Sequence, residues 1–270
     1  MARRVEGATG IRVRIGKLVY ELLTSTFVAS DVVAGPARRP YLTVPQLKAE
    51  LSLLAGGPGI TLALVDARRP RVRASQSWLG RLYRFPVHRQ ATVKLGRLRE
   101  GRISIALKGG AIELDTVELT VKNLHVPVTP ASVAPALTGA LSLTAATVRL
   151  KTVELLWLRL EGTFTGKQLE VRRLTLGLPG GTIELAGTIG LGAGATGPGP
   201  FALEGPLKID AGPTGTVSLS GPSLSKLTLR GKLAGVPPAA GGLKGAPALN
   251  LSLEVGRRRV RGTLRRWRVR

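Results

Sequence analysis

Short runs in which apolar residues occupy every second position constrain this chain more than any other feature. Two of them are nearly alike: "GGAIELDTVELTVKNL" covers residues 109–124 and "GGTIELAGTIGL" covers residues 180–191. Successive side chains of a β-strand point to opposite faces of a sheet, so this period of two predicts strands with one face away from water. A double glycine before each run suits a tight hairpin, because glycine tolerates the positive φ angles that such turns demand. The pattern therefore predicts repeated β-hairpins with one apolar face.

The same alternation recurs along most of the chain, broken by Gly, Pro and Arg, and it predicts a succession of strands. The predicted strands are 11–15, 18–22, 26–33, 41–54, 60–65, 72–74, 91–97, 102–107, 111–124, 138–150, 153–165, 168–178, 182–191, 201–210, 214–220, 224–233 and 249–255, followed by a basic terminal run.

Helical signals are few and short. "SWLGRLYR" at 77–84 places Trp78, Leu79 and Leu82 on one face of about two turns. "PASVAPAL" at 130–137 is a second candidate, although its Pro135 limits its length. We therefore expect an all-β fold with one or two short helices. These helices are too short to cover a large sheet, and its apolar face must still be buried against something.

Three arrangements would bury that face: a closed barrel, a β-sandwich, or an elongated, curved antiparallel sheet whose apolar groove meets a ligand. Periodicity alone does not choose among them. The chain has 270 residues, of which 43% are hydrophobic, so it can bury a core, but only 4% are aromatic, which predicts a shallow one. Turn-rich segments suggest three parts: a β module at 1–75, a further β region at 76–195 that includes the short helix, and strands with a basic C-terminal run at 196–270.

The charge predicts anionic partners. Lys and Arg number 40 against 16 Asp and Glu, which gives a formal net charge of +24 spread along the chain. Such a field favours either nucleic acid or the headgroups of acidic lipids. Proteins that bind single-stranded nucleic acid interleave exposed aromatic residues with basic ones, and the aromatic residues here are too few and too scattered. We therefore expect no specific nucleic-acid partner and prefer lipid.

The residues needed for catalysis or metal binding are sparse. The chain has no cysteine and only His88 and His125, which lack the spacing of a zinc site. "GAGATG" at 192–197 fits a dinucleotide fingerprint, but that fingerprint needs a helix after it and "PGPFALEG" follows instead. The carboxylates are isolated in separate strands or turns. We expect a protein that is not an enzyme and that has no cofactor and no metal site.

Targeting segments are not evident either. The first residues supply no apolar core for a signal peptide, and no stretch reaches the roughly 18 apolar residues that a spanning helix needs. As written, the chain is expected not to be an integral membrane protein.

The N-terminal residues resemble a known module. "ATGIRVRIGKLVYELLTSTFVASDVVAGPARRPYLTVPQLKAELSLL" followed by "GITLALVDARRPRVRAS" resembles the N-terminal module of the AsmA and TamB families of Gram-negative envelope proteins. The matching elements are a "TG-x-x-V-x-I" strand at 9–15, an acidic-Val turn at 28–33, a long strand at 40–53 and an "Arg-Pro-x-Val" end at 69–72. "LEGTFTGKQLEVRRLTLGLPGGTIELAGTIGL" is similar to the recurring β unit of TamB-like proteins, so the resemblance extends to about residue 191.

This resemblance implies a long curved β structure with an apolar groove that binds phospholipid. Its role would be lipid transport between the inner and outer membranes, or outer-membrane assembly with an outer-membrane assembly protein as partner. It also implies a periplasmic location and association with the inner membrane, since such proteins usually have an anchor just before the "TG-x-x-V-x-I" strand, which here would lie upstream of Met1. An AsmA-like component of a type II secretion system and a basic nucleic-acid-binding β protein remain alternatives.

Two sets of residues are the candidate sites. Apolar residues on one side of the repeated hairpins are the candidate groove lining: Ile112, Leu114, Leu119, Ile183, Leu185, Ile189 and Leu191. Arginines in the first module are the candidate contacts to anionic headgroups: Arg12, Arg14, Arg69, Arg71 and Arg73. The C-terminal "RRRVRGTLRRWRVR" can bind phosphates or form an edge strand whose charge blocks aggregation, and we favour the edge strand.

Overall fold

A computed structural model of the chain describes residues 12–52, 59–75, 87, 89–107, 110–129, 136–150, 153–191, 199–210, 214–223, 227–234, 249–255 and 260–264. Throughout these residues the secondary structure is β, with no α-helix, so the predicted all-β class is confirmed. The predicted helix at 77–84 lies outside the described residues. Most of the second predicted helix also lies outside them, and its last residue, Leu137, begins a strand.

The described residues form nineteen strands. They are β1 (Val13–Arg14), β2 (Lys17–Glu21), β3 (Thr26–Ala34), β4 (Leu42–Leu51), β5 (Ile60–Arg68), β6 (Arg71–Ser75), β7 (Ala91–Leu107), β8 (Gly110–Val126), β9 (Leu137–Ala145), β10 (Thr147–Leu150), β11 (Val153–Leu155), β12 (Trp157–Gly166), β13 (Gln168–Leu178), β14 (Gly181–Gly190), β15 (Phe201–Ile209), β16 (Thr214–Gly221), β17 (Leu227–Ala234), β18 (Leu249–Val255) and β19 (Val260–Leu264).

The predicted strands match this series closely, with two kinds of difference. The predicted runs 91–97 and 102–107 are one long strand, β7. Conversely, two predicted strands are each interrupted by one residue, at Ala146 between β9 and β10 and at Leu156 between β11 and β12. The amide of Ala146 donates to the carbonyl of Asp115, and that of Leu156 donates to the carbonyl of Gly177. The interruptions therefore keep their hydrogen bonds to neighbouring strands.

All nineteen strands belong to one sheet. β5 and β6 lie parallel to β7, and the other pairings among the described strands are antiparallel. β8 pairs along its first half with β10 and along its second half with β9, which in turn pairs with β12. From β12 to β19 the strands follow one another as a meander. The sheet is therefore mixed, with a simple antiparallel order in its C-terminal half.

The two glycine repeats occupy equivalent places in this sheet. Gly110 pairs with Leu107 at the start of β8, and Gly181 pairs with Leu178 at the start of β14, so both repeats begin the returning strand of a hairpin. The predicted repeated hairpin is confirmed. Gly180 has φ of 86°, whereas Gly181 is not among the residues with positive φ, so only the first glycine of this turn adopts that conformation. Gly181 is needed because a Cβ there would collide with the carbonyl oxygen of Lys208 on β15.

The sheet continues across the predicted domain boundaries near residues 75 and 195. β6 pairs with β7 across the first boundary, and β14 pairs with β15 across the second. The strand β15, not a helix, follows the "GAGATG" segment, which itself lies outside the described residues. The three-part division remains a prediction.

A line of backbone irregularities crosses neighbouring strands near the middle of their length. Four of its residues have positive φ although none is glycine: Asp31, Arg69, Glu100 and Thr116. We call these four residues the kink line. Irregularities of this kind bend a strand and increase its twist.

The kink line also changes the spacing of the residues on the apolar face. These residues are three positions apart there instead of two, as at Ala29 and Val32 in β3 or Leu114 and Val117 in β8. Side chains beside the line are buried, with Val44 4% and Val117 0% exposed. The residues next to the kink line on β4 and β8 are therefore shielded from solvent.

Candidate functional site

The apolar face is built from rows of residues that lie opposite one another in adjacent strands. Such cross-strand neighbours share a face, with Cβ atoms about 5 Å apart. One row, which we call the central row, consists of leucine and alanine side chains and crosses ten strands. It consists of Leu18, Ala29, Leu47, Ala67, Leu98, Leu119, Leu143, Leu160, Leu174 and Leu185.

A second row lies beside it and combines large residues with glycine. It contains Tyr20, Phe27, Ala49, Val65, Gly96, Val121, Leu141, Gly162, Val171, Gly187, Leu203, Leu219 and Leu229. The glycines in this row let backbones approach: a Cβ at Gly187 would collide with the carbonyl of Ala202 on the next strand. Neither row contains a charged side chain. The sequence thus produces a continuous apolar surface across most of the sheet.

Exposure changes along the central row. Its side chains are partly exposed from Leu47 on β4 to Leu160 on β12. They are buried on the next two strands, where Leu174 is 9% and Leu185 1% exposed. The central row is therefore accessible in part over β4, β5, β7, β8, β9 and β12, where all of its members except Leu119 pack against a buried cluster, and it is closed over β13 and β14.

The closed part is a packed core formed by the sheet itself. Its buried residues, which we call the C-terminal cluster, are Leu169, Val171, Leu174, Ile183, Leu185, Leu191, Leu203 and Val217. A second buried cluster comprises Val117, Ala145, Val148 and Leu155. Leu158, Leu176 and Leu178 pack against both, so the two clusters are contiguous.

The seven predicted lining residues divide between these environments. Ile112 and Leu114 are partly buried and pack against the second cluster, while Leu119 lies in the accessible part of the central row. Ile189 is partly buried at the margin of the C-terminal cluster. Ile183, Leu185 and Leu191 are buried inside that cluster, at 5%, 1% and 5% exposure. The six predicted lining residues within strands thus lie on one continuous face, and Leu191, just after β14, is buried in the C-terminal cluster. Three of the seven, Ile183, Leu185 and Leu191, are enclosed by protein.

Sequence reasoning missed several residues of the accessible surface, above all Leu47, Leu98, Leu143 and Leu160. Leu47, Leu143 and Leu160 fall in predicted strands, whereas Leu98 falls between the predicted runs 91–97 and 102–107. Their alignment with Leu119 depends on which strands pair and in which register. A single strand's alternation does not contain that information.

Three of the five predicted arginines, Arg14, Arg71 and Arg73, lie on the other face. Arg71 and Arg73 alternate along β6 with Val72 and Ala74, and Val72 lies in register with Leu42 and Ile103 of the apolar face. Arg14 likewise follows Val13, which packs against the buried residues of β3 and β4. These arginines are exposed, and they are turned away from the side chains that would line a groove.

A basic patch nevertheless forms at one end of the outer face. The carbonyl of Arg12 accepts a hydrogen bond from the amide of Gly35, at the start of the loop that carries Arg38 and Arg39. Arg14 and Arg71 lie three strand spacings apart, through Val33 and Thr43, which is about 14 Å. We call this set the arginine patch: Arg12, Arg14, Arg38, Arg39, Arg71 and Arg73.

Arg69 is separate from the patch because it is engaged at the kink line. Its Nε lies 2.7 Å from Oε2 of Glu100, and this hydrogen bond holds the pKa of the Glu100 carboxyl below its ordinary value. The amide of Glu100 in turn donates to Oε1 of Glu118 at 2.9 Å. Arg69, which lies between β5 and β6, is thus paired with Glu100 of β7 and is not a free contact for a headgroup.

Two of the other carboxylates, Asp66 and Asp115, form ion pairs with arginines. Asp66 contacts Arg99 at 3.2 Å, and Asp115 contacts both Arg102 and Arg149. Within the described part of the chain, no three residues among His, Cys, Asp and Glu come close enough together to hold a metal ion. His125 approaches Oγ1 of Thr92 at 3.2 Å, and His88 lies outside the described residues.

β19 lies within the basic terminal run and is the last strand in the described part of the chain. It pairs with β18, and residues 265–270 lie outside the described part.

Of the residues that the structure describes, none forms a helix long and apolar enough to cross a membrane.

No model of a known protein family matches the sequence, and a search of curated proteins found no significant relative.

Proposed function

We propose that this chain is a non-enzymatic cell-envelope protein that binds the acyl chains of phospholipid on the accessible part of its apolar face. Its role would be lipid transport between the inner and outer membranes or outer-membrane assembly. The observation that carries the proposal is the partly exposed stretch of the central row from Leu47 to Leu160. Contiguous apolar surface that remains accessible in a folded protein is characteristic of binding sites.

The dimensions of this surface suit an acyl chain. From β4 to β12 the row crosses five strand spacings, or roughly 24 Å. The hydrocarbon core of a bilayer is about 30 Å thick, so a chain within one leaflet needs about 15 Å. One acyl chain can therefore lie along the row with its full length on leucine and alanine side chains.

Curvature would give the lipid a second wall. The kink line bends β3, β7 and β8 beside the central row, and the glycines of the second row allow adjacent backbones to approach. The C-terminal cluster would close the groove at one end. The groove itself is part of the proposal.

The arginine patch has a different role in this proposal. Because its side chains lie on the face opposite the central row, they would contact the anionic surface of a membrane rather than the headgroup of a lipid held on the apolar face. Its position in the first module is consistent with docking at the inner membrane. The periplasmic location, the inner membrane and an outer-membrane assembly protein as partner rest on the resemblance to AsmA/TamB-like modules alone.

The test is a comparison of co-purified lipid in matched variants. Leu119→Asp places a carboxylate in the accessible part of the central row, where it can still reach water, so the protein should fold. The control is Thr120→Asp, the next residue of β8, which lies opposite Arg97 and Ser142 on the other face. Purified proteins are extracted, phospholipid is quantified by mass spectrometry, and folding is checked by circular dichroism.

We expect the wild type and Thr120→Asp to carry phospholipid and Leu119→Asp to lose most of it while staying folded. Lipid-free wild type would reject the proposal, and so would equal lipid content in the two folded variants. Nucleic acid that co-purifies and resists moderate salt would instead favour the nucleic-acid alternative.

A further inference from the structure

Within the described part of the chain, most of the exposed large apolar residues lie at one edge of the sheet, on or beside β2. Leu23 is 102% exposed and Leu22 79%, both in the turn after β2. Leu18, Val19 and Tyr20 of β2 are 47%, 39% and 42% exposed. Exposed apolar residues scattered singly are ordinary, but a contiguous group marks an interaction site.

β2 is also an edge strand. It pairs on one side with β3, and no register among the described strands places another strand on its other side. An edge strand offers a row of unpaired amides and carbonyls to another strand, and proteins usually protect it with charge, proline or a bulge. The three central residues of β2, Leu18, Val19 and Tyr20, carry none of these protections.

The opposite end of the sheet differs. β19 contains Arg261 and lies in the sequence between Arg257–Arg259 and Arg265–Arg266. Arginines that flank an edge strand disfavour pairing with another basic chain. Pairing of β19 of one copy with β2 of the next, which would build an open filament of copies, is therefore disfavoured.

The charges of β2 are arranged for pairing with a copy of itself. The strand reads Lys-Leu-Val-Tyr-Glu from Lys17 to Glu21. In an antiparallel pair centred on Val19, Lys17 of each copy lies opposite Glu21 of the other, and Leu18 lies opposite Tyr20. On β3, Lys17 faces Ser30 and Glu21 faces Thr26, and neither charge makes an ion pair in the described part of the chain. The Glu21 carboxylate accepts a hydrogen bond from Oγ1 of Thr24 at 3.1 Å, which leaves it able to pair with a cation. Opposite charges directly across a strand pair stabilise it, and like charges destabilise it.

We propose that two copies of this chain associate through β2, with the strands antiparallel and centred on Val19. The sheets of the two copies then join across a two-fold axis. The same register brings the Leu22–Leu23 turn of each copy to the Ile15–Gly16 end of the other. Ile15 is itself 40% exposed, so apolar surface meets apolar surface at both ends of the strand pair.

A charge exchange tests the register. Lys17→Glu alone places like charges opposite each other, and so does Glu21→Lys, whereas the double variant restores two opposite pairs. By light scattering coupled to size-exclusion chromatography, we expect the wild type and the double variant at twice the 28.4 kDa monomer mass and both single variants at the monomer mass. Circular dichroism confirms that the single variants fold.

Disulfide trapping gives a second, independent test, because the chain has no cysteine of its own. Val19→Cys places the two thiols directly opposite each other across the two-fold axis, within reach of a disulfide. Leu23→Cys is the control: its side chain is the more exposed, but in this register the two copies lie eight residues apart, roughly 26 Å. Mild oxidation should produce a covalent dimer of Val19→Cys and little of Leu23→Cys.

A wild type that remains monomeric over the range of concentrations used would overturn the proposal. So would a dimer that survives Lys17→Glu, or one that the double variant fails to restore. Cross-linking of Leu23→Cys equal to that of Val19→Cys would mean random collision rather than a defined strand pair. These results are independent of lipid content, so they do not depend on the proposed lipid function.

Discussion

The difference in burial between Leu185 and Leu119 predicts a large difference in their contributions to stability. Both lie in the central row, yet Leu185 is 1% exposed and Leu119 is only partly buried. Leu185 faces Leu174 on β13, and on β15 its neighbour is Gly205, whose missing side chain cannot move into a cavity. Leu185→Ala should therefore leave a void that the surrounding structure fills poorly.

The magnitude follows from that geometry. Leucine-to-alanine changes at fully buried positions cost about 2–5 kcal/mol, and a site that cannot collapse lies in the upper part of this range, so we expect about 3–4 kcal/mol for Leu185→Ala. A half-buried leucine loses roughly half of the 1.5–3 kcal/mol that full burial contributes, so Leu119→Ala should cost about 1 kcal/mol. At about 2–4 °C per kcal/mol, the melting temperature should fall by about 6–16 °C in the first case and about 2–4 °C in the second.

Thermal and urea unfolding, followed by circular dichroism, measure both changes. Thr188→Ala on the exposed face of β14 is the control and should change the free energy of unfolding by less than about 0.5 kcal/mol. Equal destabilisation by Leu185→Ala and Leu119→Ala would refute the division of the apolar face into a closed and an accessible part. Urea unfolding should be measured with lipid removed, because a ligand that binds the folded state raises the apparent stability.

Three further predictions concern other parts of the molecule. Gly180→Val should destabilise the protein by about 1–2 kcal/mol, because valine is strained at the positive φ of this residue. Gly181→Val should destabilise it more, because the new side chain collides with the backbone of Lys208. Thermal unfolding that ranks the two variants in the opposite order would contradict this turn geometry. Arg69 lowers the pKa of the Glu100 carboxyl from its ordinary value of 4.5, so this pKa should rise in the Arg69→Gln variant, as measured by carbon-detected NMR. The stabilisation from the contact should be fully present above the pKa of the unfolded state and should be lost as the pH falls through the pKa of the folded state. The net charge of +24 should give binding to nucleic acid that is weak, independent of base sequence and steeply dependent on salt concentration, as measured by fluorescence anisotropy. A tight, sequence-selective complex at physiological salt would contradict the lipid proposal.

The strands could be predicted from the sequence because their signal is local. The bounds of β13 and β18 agree with the prediction, since alternation begins and ends at recognisable turn residues. The single-residue interruptions at Ala146 and Leu156 could not be predicted, because the alternation passes through them and their hydrogen bonds go to other strands. The local alternation therefore predicts where strands occur, whereas their interruptions depend on hydrogen bonds to strands that are distant in the sequence.

The candidate site was predictable in composition but not in exposure. Leu119 and Leu185 have equivalent alternating contexts, and only the packing around Gly205 and the C-terminal cluster separates an accessible leucine from an enclosed one. The kink line was equally invisible, because Glu100 and Thr116 adopt positive φ without the glycine that usually signals it. These backbone conformations are imposed by neighbouring strands, so no single segment reports them.

The plain meander from β12 onward has a consequence for how a protein of this kind changes length. Each strand from β13 to β18 hydrogen-bonds to the strand before it and the strand after it, so the energy of the array is close to a sum over neighbours. Duplication of one hairpin would add two strands, roughly 10 Å of sheet, without altering any existing pair. The span of such a molecule can therefore be set by the number of hairpins its gene encodes, in the manner of a molecular ruler.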